Sequence, residues 1–326
     1  MRRRTRYPLM ILLALLCQWS GASERPMLGN APDLIATPVS LDPANPAHVK
    51  VGALTFMGGV RLTSHDPAFG GYSSMTNDHG LFTLLSDGGT VVRFRLDDRF
   101  RPSAIGFGDL PKGPGTGWTR KDRDSESMTL DPVTKRVWVG YEYVNQIWRY
   151  SPGLTRPATM VAPQPMADWS KNGGAESMVR LHDGRFLVIA ETSRRLPSQA
   201  RSALIVDRDP VEAPLKGFEF GYLPPEGYDP SDATELPDGR VLILNRRLDL
   251  PFRWSAVLTL IDPRRIRPGM TIRGRAIARL APPLTVDNFE GLAITREHGA
   301  TMVWMVSDDN LLFLQQTLLM KFRLDL

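Results

Sequence analysis

The sequence predicts an all-β chain folded as a β-propeller of five or six four-stranded blades. Three observations carry this expectation. A strand pattern recurs at intervals of fifty-odd residues, turn signals separate the strands within each repeat, and no stretch after the first 22 residues keeps helical periodicity over three or four turns. The 28 Gly and 27 Pro are scattered as turn signals, which favours many short strands. With 326 residues, 42% of them apolar, the chain has ample material for a core.

The first element lies outside that fold. Arg2, Arg3, Arg4 and Arg6 form a positive start, and Leu9 to Cys17 is an apolar run too short to span a bilayer. Ser20-Gly21-Ala22 supplies the small residues a signal peptidase reads. Residues 1–22 therefore read as a signal peptide cleaved near Ala22, residues 23–49 as an N-terminal extension and 50–326 as a single propeller domain. The expected location is periplasmic or secreted, by bacterial export. Cleavage removes four Arg and no acid, so the 40 basic residues fall to 36 against 35 acidic ones. The net charge drops to +1, which gives no support for nucleic-acid binding. No stable membrane association is expected after cleavage. Cys17, the one cysteine, leaves with the signal, which excludes disulfides, thiol nucleophiles and Cys-based metal sites.

The repeats follow in order. Tyr72-Ser73-Ser74-Met75-Thr76, Ser125-Glu126-Ser127-Met128-Thr129 and Ala175-Glu176-Ser177-Met178-Val179 each start an inner strand. Ser231-Asp232-Ala233-Thr234 is a looser fourth copy and Phe289-Glu290-Gly291-Leu292-Ala293 a fifth. The steps are 53 (73 to 126), 50 (126 to 176), 56 (176 to 232) and 58 (232 to 290) residues. Second strands come next: Leu81–Ser86, Val137–Tyr141, Phe186–Ala190, Val241–Asn245 and Met302–Ser307, each preceded by a turn such as His182-Asp183-Gly184 or Pro237-Asp238-Gly239. Outer strands are expected at Thr90–Leu96, Gln146–Tyr150, Ala203–Asp207, Ala256–Ile261 and Leu318–Leu324, with Phe218–Tyr222 and Arg275–Leu280 as fourth strands. The segment Lys50–Leu62 looks like a fourth strand with no first three before it, so the ring is expected to close by pairing of residues 50–62 with the C-terminal strands. Long loops at Phe107–Asp124, Pro163–Gly174 and Tyr222–Ser231 all lead into inner strands and gather at one mouth.

Several segments resemble the secreted phytase-like propeller proteins, the family described by the esterase-like activity of phytase. They are Phe69-Gly70-Gly71-Tyr72-Ser73-Ser74, Glu126-Ser127-Met128, Gly174-Ala175-Glu176-Ser177, Leu236 to Leu244, Asp287-Asn288-Phe289-Glu290-Gly291, Ser307-Asp308-Asp309-Asn310 and Gln316 to Leu324. The resemblance spans roughly Lys50 to Leu326 and implies an exported bacterial β-propeller. It carries over no catalytic residue. Ser73 stands where the second and third repeats have Glu126 and Glu176, so an acid ring would be incomplete.

The candidate site follows from the repeat. Glu126, Glu176, Asp232 and Glu290 start inner strands and are expected near one mouth, where Asp287, Asn288, Asp308, Asp309 and Asn310 add oxygen ligands. Convergent carboxylates raise one another's pKa unless a cation sits between them, and a hard cation such as Ca2+ takes such oxygens. The same acids would equally serve as mortar, accepting hydrogen bonds from neighbouring blades. Asp122-Arg123-Asp124-Ser125-Glu126 alternates oxygens like part of a calcium loop but lacks the Gly and distal Glu of an EF-hand. Arg194, Arg195, Arg246 and Arg247 are expected to rim the acids, where guanidinium forks would hold a phosphate or carboxylate, or else to pair with Glu191 and Asp249.

A serine hydrolase is disfavoured by the lack of a Gly-x-Ser-x-Gly elbow, and a His-rich zinc site by the lack of a close His pair. His65 lies just upstream of the first inner strand as a candidate base. The expected function is metal-dependent hydrolysis of a phosphate or carboxylic ester, with a small anionic or ester substrate and no organic cofactor. A lactonase-like propeller and a non-catalytic ligand-binding propeller are the alternatives.

Overall fold

In the computed structural model, residues 24–326 are described except 196–197, 213–214 and 252. The expected signal peptide lies outside the described residues. Three strands come first: β1 (Ile35–Pro38), β2 (Lys50–Val51) and β3 (Leu54–Thr63). Five antiparallel sheets follow. The first contains β4 (Tyr72–Asp78), β5 (Leu81–Ser86), β6 (Thr90–Leu96) and β7 (Pro102–Asp109). The second contains β8 (Ser125–Leu130), β9 (Val137–Tyr141), β10 (Gln146–Tyr150) and β11 (Pro157–Val161). The third contains β12 (Ala175–Arg180), β13 (Phe186–Arg194), β14 (Arg201–Val206) and β15 (Gly217–Leu223). The fourth contains β16 (Asp229–Glu235), β17 (Val241–Asp249), β18 (Arg253–Ile261) and, beyond the short β19 (Thr271–Arg273), β20 (Arg275–Leu280). The fifth contains β21 (Asn288–Glu297), β22 (Ala300–Asp308) and β23 (Thr317–Leu324), with β3 as its fourth strand.

The chain is thus an all-β propeller of five blades; the described residues hold no sixth and no α-helix. β3 pairs antiparallel with β23, with Leu319 opposite Val60. β1 pairs with the free side of β3, so part of the 23–49 segment adds an outer strand to the fifth blade. β19 pairs parallel with β15, so the fourth repeat sends a short strand to the edge of the third blade.

Burial explains the second strands. Val137–Tyr141 is buried throughout, as are Val241–Asn245 and residues 302–308, because both faces pack on neighbouring blades. Five apolar clusters fill the spaces between successive blades. Leu85, Val91 and Val139 join the first to the second; Trp138, Phe186 and Val188 the second to the third; Leu187, Phe220 and Ile243 the third to the fourth. Leu244, Leu258 and Met305 join the fourth to the fifth, and Trp304, Val306 and Phe82 the fifth to the first. The tight turn at His79-Gly80 takes two positive φ values, 49° and 85°, a conformation that glycine adopts without strain.

Each inner strand carries a register shift at the same place. It falls between Tyr72 and Ser74, Ser125 and Ser127, Ala175 and Ser177, Pro230 and Asp232, and Phe289 and Gly291. The bulged residues are therefore Ser73, Glu126, Glu176, Ser231 and Glu290. A bulge adds one residue on one strand and re-aims its side chain.

Candidate functional site

The bulges place Glu126, Glu176 and Glu290 at equivalent positions at the starts of three inner strands. Ladder pairing brings the ends of the second strands to the same mouth. Ser125 lies opposite Tyr141, Ala175 opposite Ala190 and Phe289 opposite Ser307, so the next residues, Glu142, Glu191 and Asp308, flank the bulged acids. Asp124 adds a seventh carboxyl. Oxygens of Asp124, Glu126 and Glu142 lie within 4.8 Å of one another, as do those of Glu142, Glu176 and Glu191. Glu142 belongs to both triads. Its Oε1 accepts from the backbone N–H of Gly173 and from that of Gly174 at 3.1 Å. Only glycine fits at Gly173, where φ is +129° and an added Cβ would fall 1.8 Å from Thr192 Oγ1.

Among the described residues, one guanidinium is paired directly with these acids. Arg246, equivalent to Glu142 and Glu191 in the fourth blade, donates to Glu191 Oε1 at 2.8 Å and to Asn288 Oδ1 at 3.2 Å, and lies 3.4 Å from Glu290. Asn288 Nδ2 in turn donates to Glu290 Oε1 at 2.6 Å. Burial works against the Arg246 charge, but Glu290, Glu191 and Glu176 overcome it and raise the pKa.

The carboxyls respond to crowding. Burial, then the charges of Asp124 and Glu191, push Glu142 up to about 8. Burial raises Asp124 to about 6, with Arg120 holding it down. Glu126 and Glu176 rise well above the ordinary range through burial first, then through Glu142 for Glu126 and Glu191 for Glu176. Glu290 and Asp308 are raised by burial as well. Protons or a cation must relieve this cluster.

The remaining expected acids sit elsewhere. Ser231, not Asp232, occupies the bulge of the fourth inner strand. The side-chain period of a strand is two residues, so a slip of one turns Asp232 away from its assumed partners. Its oxygens accept from the Ala233 and Leu292 backbone N–H groups, each at 2.7 Å, tying the fourth blade to the fifth. Asp287 accepts from Asn288 N, Gln315 Nε2 and Gln316 N, and Asp309 from Gly71 N, Leu311 N and Thr317 Oγ1. Asp232, Asp287 and Asp309 are thus engaged by protein donors.

Of the four arginines, Arg246 alone joins the acids. Arg247 pairs with Asp249 at 2.6 Å. Arg195 lies 4.0 Å from Glu219, and Arg194 lines a separate hollow with Trp169 and Glu219. His65 is tied to Asp33 at 2.7 Å. Glu142 was not anticipated as a site residue, Asp124 only within a stretch resembling part of a calcium loop, and Glu191 only as an arginine partner. The signal was present: Asp124 directly precedes an inner strand, and Glu142 and Glu191 directly follow the expected second strands Val137–Tyr141 and Phe186–Ala190.

A cavity of about 440 Å³ opens at the opposite ends of the inner strands, lined by Met75, Met128, Val179 and Leu292 with Arg180, His182 and Glu235. It holds no comparable convergence of acids, so the carboxylate mouth is the better candidate for chemistry.

Comparison with known proteins gives the family. A family model described as "Phytase-like: Esterase-like activity of phytase" matches residues 67–311. The chain belongs to the phytase-like family. The match takes in all three inner-strand glutamates, Glu142, Glu191 and Asp308 of this phytase-like chain. No curated protein matches it. Solved structures overlap it loosely. Hydrazine synthase from Kuenenia stuttgartiensis shares 12% identity, with 74% of this chain and 57% of that chain covered and a TM-score of 0.38. The Cps50 (Swd1) β-propeller domain of Myceliophteria thermophila shares 12%, with 76% and 68% covered and a TM-score of 0.37. The chain spans little more than half of the hydrazine synthase chain, and overlaps this loose carry no argument about function. No helix among the described residues is long and apolar enough to cross a membrane.

Proposed function

We propose that the carboxylate mouth is the site of a metal-dependent hydrolase acting on a phosphate or carboxylic ester. The observation that supports this most is the pair of carboxylate triads sharing Glu142 in a chain of this family. The donor set suits a hard cation: every member is an oxygen ligand, and neither His nor thiolate is among them. Glu126, Glu142 and Glu176, with Asp124 and Glu191, would hold Ca2+. A bound ion would supply Lewis-acid polarisation of an ester oxygen. Around it, Glu142 is held by the Gly173 and Gly174 N–H groups, while Arg246 fixes Glu191 and Glu290 and stabilises negative charge.

The test is hydrolysis of p-nitrophenyl phosphate and p-nitrophenyl acetate by purified protein, with chelator and with added calcium. Activity that calcium restores and Glu142→Gln abolishes, with the thermal transition retained, is the expected result. Lactone opening without either activity would instead support the lactonase-like reading. No turnover of any ester, with calcium bound only as a stabiliser, would overturn catalysis altogether.

We further infer export of the mature chain, with N-terminal sequencing of periplasmic or secreted protein expected to begin near Ser23. The β3–β23 pairing is inferred to latch the ring shut. Removing residues 317–326 is then expected to abolish the cooperative thermal transition.

A further inference from the structure

The sequence offered arginines as the groups that receive a substrate anion, but Arg246 and Arg247 are both engaged by carboxylates. Two other cations stand at the mouth without an acidic partner among the described residues. Lys121 lies in the 3₁₀ turn Arg120–Asp122, just before the second inner strand. Lys171 lies in the loop that leads into the third. Both ammonium groups face one aromatic ring, that of Tyr143, at 5.5 Å and 5.1 Å from its centroid. Tyr143 directly follows Glu142, the residue shared by both triads.

We propose that Lys121 and Lys171, staged on Tyr143, form the anion-receiving rim of the carboxylate mouth and bind the dianionic part of a small ester. The substrate in this statement rests on the ester-hydrolase reading, while the rim itself does not. An ammonium over a ring gains from the π face yet keeps N–H donors free for a second ligand. Both lysines are exposed and Tyr143 is half-buried, so the ring underlies two solvent-facing charges. The acids behind them repel an approaching anion, which leaves this rim as the place where a negative group is accepted. Two point charges favour a dianion such as a phosphate group over a monocarboxylate.

Calorimetric titration tests the rim in the metal-free protein, with inorganic phosphate and acetate as probes. Phosphate is expected to bind more tightly than acetate, and Lys121→Gln/Lys171→Gln to weaken phosphate binding at least about tenfold, the loss of one charge-assisted contact. Lys50→Gln/Lys216→Gln, at two exposed lysines in β2 and just before β15, controls for net charge and is expected to leave binding unchanged. Equal phosphate affinity in the double variant, an equal loss in the control, or no phosphate binding by the unaltered protein would each overturn the proposal. Phosphate binding that depends on the lysines, in a protein that hydrolyses no ester, would remove the hydrolase reading and leave the rim standing. Calcium-dependent hydrolysis with lysine-independent phosphate binding would do the reverse.

Discussion

Asp232 offers a sharp test of register as the determinant of role. Its carboxylate is 2% exposed and accepts two backbone N–H groups, one of them from Leu292 on the next blade. Asp232→Ala leaves both donors in the interior without their carboxylate acceptor. Leaving a buried donor unpaired costs about 1–3 kcal/mol, so two such donors, partly relaxed, amount to about 3 kcal/mol. In a domain of this size about 1 kcal/mol moves Tm by roughly 2 °C, which gives a fall of roughly 6 °C. Asp232→Asn keeps one acceptor and should lose about half as much. Differential scanning calorimetry measures the fall, and calcium titration of the same samples should give unchanged affinity. A variant that melts within a degree of the parent, or that binds calcium tenfold more weakly at equal stability, refutes the assignment of Asp232 as mortar.

Other outcomes follow from the same geometry. In chelator, stability should fall as pH rises from about 5 to about 8. Glu142 titrates near 8 when folded against about 4.3 unfolded, so across that window the folded chain holds the extra proton, and stability drops by about 1.4 kcal/mol per pH unit for this group. Asp124 adds its share up to about pH 6, and saturating calcium should flatten the profile in denaturant titrations. Arg246→Met removes the one guanidinium among the acids, so calcium affinity should rise while calcium-free stability at pH 8 falls; unchanged affinity by calorimetry would count against a cation at this mouth. Gly291→Ala brings a Cβ to 2.5 Å from Val306 Cγ1 and 3.1 Å from the Met75 backbone N, where the first and fifth blades meet; overpacking of this kind costs about 1–3 kcal/mol, read as a lowered Tm.

Much of the fold is legible in the sequence because the repeat is written in turn chemistry and strand alternation. Leu81–Ser86 and Val137–Tyr141 match the structure at both ends, and the strand near residues 50–62 lies against β23. The bulges were not legible. Nothing in Ser231-Asp232 by itself says which residue is the extra one, since a bulge is set by how two strands share their ladder. That single residue moved one acid out of the expected set. The extension of β13 to Arg194 and of β17 to Asp249 was also hidden, because polar residues at strand ends resemble loop. Glu142 and Glu191 needed only the rule already applied to Arg246, that the end of one antiparallel strand meets the start of its partner.

The fifth blade is assembled from residues 54–63 together with residues 288–324. During synthesis, β3 therefore emerges long before β23, its neighbour on one side, exists. At about 5–20 residues per second, the roughly 250 intervening residues take roughly 10–50 s to appear. For that time the side of β3 that will meet β23 is an open edge with unpaired backbone donors and acceptors, vulnerable to pairing with a second nascent chain. Timing, and whatever shields that edge meanwhile, thus governs the yield of native molecules as much as final stability does.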